Sequence, residues 1–179
     1  MIRRLALAAC ALAAATSLSS VLSGCATFDR NDAAASVGGT EISRDSLDTI
    51  TDFLVANPKA DATLRLGVVD VGSGLVDGYA TRYVLQVLVH DELLRQFLAS
   101  AGASPSADDV TAADTRVDSA ITGDVRGIYV QEEALRAALL TLPADQQGAF
   151  LASIATSKVS VDSRYGGWDK ASGTIVPLG

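Results

Sequence analysis

The sequence predicts a mainly helical single domain with short strands at both ends, and three observations predict it. Apolar residues recur at helical spacing from Leu75 to Ala101, the longest such run in the chain. Cap and stop residues at Ser43, Gly102, Ser106 and Pro143 mark further helices on either side of it. Val37 to Ile42 and Lys158 to Asp162 are instead short, strand-like and bounded by glycine or polar residues.

The chain starts with a segment expected to be removed. Arg3 and Arg4 precede an unbroken run of small and apolar side chains from Leu5 to Ala15, which is a signal-peptide layout. Thr16, Ser17, Ser19 and Ser20 interrupt the run before it reaches the roughly 20 apolar residues that a membrane-spanning helix needs. Leu22-Ser23-Gly24-Cys25 follows and resembles the bacterial lipobox at all four positions. That resemblance implies cleavage between Gly24 and Cys25 and a diacylglycerol on the Cys25 thiol. The competing reading is a chance small-residue cleavage site beside a cysteine. Two or three acyl chains, at about 0.8 kcal/mol per buried methylene, hold a protein stably on a membrane. The expected location is therefore extracytoplasmic, lipid-anchored to the bacterial cell membrane or envelope.

Removing residues 1–24 from 179 leaves 155, a length that suits one domain with its own core. Cys10 leaves with the signal, so Cys25 is the remaining cysteine, and a thiol carrying lipid is available neither for a disulfide nor for catalysis. Losing Arg3 and Arg4 takes the formal charge from −7 to −9. Nucleic acid is not an expected partner, because binding it requires clustered Lys and Arg against phosphate.

Residues 25–35 read as a flexible tether, polar and alanine-rich with neither strand nor helix period. The domain is then residues 36–179. Gly38-Gly39 turns the chain between two strand-like pieces, and the absence of further glycine spacing or a Lys-Ser/Thr pair argues against a phosphate loop. Ser43 caps a helix that carries Leu47, Ile50, Phe53 and Leu54 on one face and stops at Asn57-Pro58. Lys59 to Ser73 predicts a short strand or a buried loop.

In the long helix, Val76, Tyr79, Ala80, Tyr83, Val87, Leu94, Phe97 and Leu98 form one stripe. Val84, Leu85, Leu88, Val89 and Leu93 fall outside it, which predicts a central strut packed from several sides. Gly102 ends it. Ser106, Asp108 and Asp109 open a polar surface helix reaching about Ile121. Val125 to Leu142 is amphipathic, and Pro143 begins a last helix that buries Phe150, Leu151 and Ile154. After the strand at Lys158 to Asp162, Tyr165 to Trp168 turns the chain and Thr174-Ile175-Val176 returns as a strand. Each terminal strand is too short to stand alone, so Val37 is expected to lie beside Val159 to Val161.

Three segments together resemble the SurA N-terminal domain family of extracytoplasmic chaperones. They are Val37 to Ser43, Leu85 to Leu94 in the long helix, and Gly102 to Val110. Val161 to Asp169 and Ile175 to Pro177 resemble the closing segment of actinobacterial SurA-like lipoproteins. The resemblance implies a helical chaperone-like module whose first and last segments pair as strands and which holds non-native client proteins on exposed apolar surface. Many members also carry a parvulin isomerase domain. Every segment here is already assigned to the chaperone-like part, so holding without prolyl isomerisation is the expectation.

No enzyme is expected. His90 stands alone at the edge of the apolar stripe, without a cysteine nucleophile or a serine elbow, and reads as a satisfied, half-buried side chain. Asp91-Glu92, Asp108-Asp109 and Glu132-Glu133 are adjacent pairs whose members point about 100° apart on a helix. They read as solvated faces, with no metal or other cofactor expected. Tyr79, Tyr83 and Phe97 either line a client groove or belong to the core, and the sequence assigns no client-binding residue. The expected partners are unfolded or envelope polypeptides, together with the membrane through the lipid. The alternative is a structural or interaction lipoprotein that binds one fixed envelope partner.

Overall fold

The computed structural model describes residues 32–64 and 78–178. The signal segment 1–24, the Gly24–Cys25 junction and the tether as far as Asn31 lie outside the described residues. So do the Leu66 to Val71 stretch and the Leu75–Val76 start of the long helix.

Strand β1, Ala33–Val37, and strand β2, Thr40–Ser43, form an antiparallel hairpin in which Val37 faces Thr40. Gly38 and Gly39 have φ of 58° and 94°, the paired positive values that a tight two-residue hairpin turn requires. Strand β3, Val159–Val161, pairs with the other edge of β1 in the register Ala35 to Val161 and Val37 to Val159. The sheet order β2-β1-β3 thus joins the two ends of the domain, as expected. One boundary is corrected: Ala33 to Ala35, expected to be tether, are strand residues buried at the centre of the sheet. Alanine carries no strand signal, but its small side chain suits a position pressed between two strands and a helix.

Helix α1, Arg44–Ala56, starts on Ser43, whose hydroxyl accepts from the Ser46 N–H at 3.1 Å, and buries Leu47, Ile50, Thr51 and Leu54. Helix α2, Pro58–Leu64, corrects the expected strand or loop over its residues. Pro58 begins a helix there instead of only ending one. The Asn57 carbonyl accepts from the N–H groups of Ala60 and Asp61, and proline is preformed for the first helical position.

Helix α3, Gly78–Ser100, is about 34 Å long at 1.5 Å per residue and touches α1, β1 and the later elements α5, α6 and β5. Its C-terminus is closed by the Gly102 N–H to Ala99 and the Ala103 N–H to Leu98, with Gly102 at φ 68°. The buried face differs from the expected stripe. Ala80, Leu94 and Leu98 of the stripe are in the core, but so are Val84, Leu85, Val89 and Leu93 outside it, whereas Tyr79 and Tyr83 are 65% and 42% exposed. A helix contacted on several sides has no single apolar face for periodicity to find.

Helix α4, Ala107–Arg116, has a full capping box between Ser106 and Asp109 and lies at the surface. It ends before Ile121 because Asp118 turns the chain, accepting from the Ala120 N–H, while Arg126 donates to the carbonyls of Asp118 and Ile121. Helices α5, Gly123–Thr141, and α6, Ala144–Thr156, follow. Phe150 meets Phe97 at 5.4 Å between ring centroids, but Leu151, expected to be buried, is 68% exposed. The C-terminal hairpin pairs β4, Gly167–Asp169, with β5, Thr174–Val176. Gly167 and Trp168, read as a turn, are therefore strand residues.

Candidate binding groove

A cavity of about 640 Å³ lies between β2, α3 and the start of α5. All four β2 residues, Thr40 to Ser43, line it. Side chains alternate between the two faces of a strand, so a cavity touched by four in succession runs along the strand's edge. That edge of β2 pairs with no other strand among the described residues. The α5 wall contains Gly123 and Gly127, and a methyl group placed on either would meet nothing within 4 Å. Leu88 and Ile128 supply apolar flanks.

The floor is acidic, and here the reading of the acidic pairs as solvated faces is corrected for Asp91, Glu92 and Glu132. Asp91 and Glu92, which line the cavity, are only 8% and 7% exposed, and Glu132, on α5 outside the lining, is 5% exposed. Neighbours within each pair do diverge, but packing α3 against α5 brings Asp91 and Glu132 to one place. Glu92 forms an ion pair with Arg95 and accepts from Gln96 Nε2 at 2.9 Å. Glu132 pairs with Arg136, and burial nonetheless pushes its carboxyl up. Asp91 accepts no hydrogen bond and forms no ion pair with a described residue. Burial, then the nearby Glu132 charge, pushes its carboxyl up to about 8, with Arg136 and Arg95 acting in the opposite sense. Asp91 also borders a second cavity of about 290 Å³ with Tyr83, Leu94 and Phe150. Burial likewise pushes up the Tyr129 phenol on α5.

The sequence did carry a signal for the two paired acids. Glu92 with Arg95 and Glu132 with Arg136 have the helical spacings of intrahelical ion pairs. Nothing local marks Asp91, whose environment is made by another helix. Asp108 is exposed, and Asp109 is engaged in the α4 cap, where Ser106 holds its carboxyl below the usual range.

The other candidate residues lie elsewhere. His90 is half-buried; its Nε2 donates to the Gly173 carbonyl at 2.7 Å and its ring meets Trp168 edge-on at 5.8 Å. Tyr79 and Tyr83 line a shallow cavity against β5, whereas Phe97 packs with the core, so the three aromatics share no groove. Among the described residues, no three His, Cys, Asp or Glu side chains gather in a metal-ligand arrangement, and no helix is long and apolar enough to cross a membrane. Comparison with protein-family models, curated proteins and solved structures finds no match to this chain.

Proposed function

We propose that this protein is a lipid-anchored extracytoplasmic holdase that binds non-native secreted or envelope polypeptides without catalysing prolyl isomerisation. The observation that carries the reading is the groove along the edge of β2 that pairs with no other strand among the described residues. An extended chain added to a strand edge is held mainly by backbone hydrogen bonds, which are indifferent to sequence and so suit many clients. The resemblance to the SurA N-terminal domain supports the same reading, and the β1–β3 pairing is the arrangement that resemblance implies. Gly24 and Cys25 supply the cleavage point and the lipid attachment, which mass spectrometry of the mature amino terminus tests.

The function is tested by adding the purified protein to an aggregating client and, separately, to a proline-limited refolding reaction. Binding unfolded chains withdraws them from self-association by mass action. Aggregation is expected to slow while the refolding phase, about 10 to 100 s when uncatalysed, keeps its rate. A faster refolding phase would reveal isomerase activity. No effect on any of several clients would favour a lipoprotein with one fixed partner.

A further inference from the structure

We propose that the groove selects polypeptide segments carrying a basic side chain, whose ammonium or guanidinium group seats against Asp91 while the segment's backbone pairs with β2. The inference rests on the polypeptide-holding reading and names the chemistry that this site prefers.

Asp91 is the reason. A carboxyl that is 8% exposed and has no donor or cation of its own keeps its proton near neutral pH, and a basic side chain brought beside it supplies the counter-charge with which it ionises. Glu92, beside it in the lining, has Arg95 and Gln96. The two cations near Asp91 are already engaged, Arg95 with Glu92 and Arg136 with Glu132. The rim adds Glu41 and Asp124, both exposed. Among the residues that line the cavity, Glu41, Asp91, Glu92 and Asp124 face a single cation, Arg95, so a basic side chain is the one that evens the charge of the lining.

The walls match the rest of a basic residue. Leu88 and Ile128 flank the approach to the floor, suited to the methylene stem of a lysine or arginine whose charged head goes deeper. Gly123 and Gly127 open two positions of the α5 wall among Asp124, Ile128 and Gln131, where a second backbone can come close. Strand-edge pairing fixes the segment's direction and puts alternate side chains toward the floor, which turns a sequence-tolerant groove into one with a single selective position.

The test uses fluorescent peptides of alternating threonine and valine with one central residue, either lysine, norleucine or glutamate. Norleucine keeps the stem and removes the charge. Anisotropy titrations against the purified protein are expected to show the lysine peptide binding about tenfold more tightly than norleucine, with glutamate weakest. Asp91→Asn keeps the shape and removes a costly buried acid, so it should fold, and it is expected to bind lysine and norleucine peptides alike. Equal binding of lysine and norleucine by the unaltered protein, a preference that survives Asp91→Asn, or no binding of any peptide would overturn the inference. The aggregation assay separates the two failures: suppression without lysine preference rejects the selectivity alone, whereas loss of both rejects the holding function as well.

Discussion

Polar side chains on both flanks of α3 fasten distant segments, and Asp91 stands apart from them. Toward the C-terminal hairpin, Gln86 accepts from the Ile175 N–H at 3.2 Å and His90 donates to Gly173, across 89 and 83 positions of sequence. Toward β2, Gln96 Nε2 likewise donates to the Val37 carbonyl at 2.8 Å, but Asp91, between β2 and α5, is buried as deeply as many core residues and has no such partner among the described residues. On the hairpin side the exception is on the hairpin itself, where Trp168 Nε1 is buried without an acceptor among the described residues. The contrast separates two uses of polarity on one helix. Gln86 and His90 fasten a distant segment to the strut, and their value is structural. Asp91 fastens no described segment, and burial raises its carboxyl to about 8.

The largest expected effect comes from breaking the fastened flank. Gly166 has φ 129°, and a methyl group there would sit 2.3 Å from the Val176 carbonyl oxygen. Gly166→Ala should therefore destabilise the protein by about 4 kcal/mol, combining backbone strain with a steric overlap that the hairpin must open to relieve. Denaturant unfolding followed by the emission of Trp168, the sole tryptophan, measures it. A midpoint close to that of the unaltered protein would remove the hairpin from the list of tightly fastened elements.

The groove flank should respond in the reverse direction. The folded Asp91 carboxyl is raised to about 8, so it holds a proton that the unfolded chain releases as pH climbs from about 4. Stability must then fall with rising pH across that window, because the folded state binds more protons than the unfolded state. Asp91→Asn abolishes that fall. It should stabilise the protein on the order of 3 kcal/mol at pH 9 and change little near pH 4. That figure stays below the ceiling set by about 1.4 kcal/mol for each tenfold difference in proton affinity between the two states. A variant less stable than the parent at pH 9 would mean that Asp91 has a structural partner after all.

His90→Ala is the mildest of the three. It removes one hydrogen bond and one edge-on ring contact, an expected loss of about 1 to 2 kcal/mol with a shift in Trp168 emission. Unaltered emission would indicate that Gln86 alone fastens the hairpin.

What the sequence made legible was local. Ser43, Gly102 and the Ser106–Asp109 box announce helix ends through groups within a few residues, and Gly38-Gly39 announces its turn in the same way. The β1–β3 pairing was also within reach, because neither strand could be stable by itself. What stayed hidden depends on distant neighbours. Ala33 to Ala35 become strand only because β2 and β3 flank them, and Pro58 starts a helix only because Asn57 turns its carbonyl onto Ala60 and Asp61. The buried face of α3 is chosen by α1, α5 and β1 together. The site suffered most, since an aspartate beside a glutamate on a helix looks solvated until α5 is laid across it.

Site-specific photo-crosslinking tests the central claim most directly. One photoreactive residue replaces Gln131, exposed at the groove on α5, and another replaces Lys170, exposed in the β4–β5 turn. Each protein is irradiated with the same unfolded, fluorescently labelled client. Strong capture is expected from position 131 and little from position 170, with a lysine-containing competitor peptide suppressing the former. Equal capture at both positions, or stronger capture at 170, would contradict the assignment of the groove as the surface that holds clients.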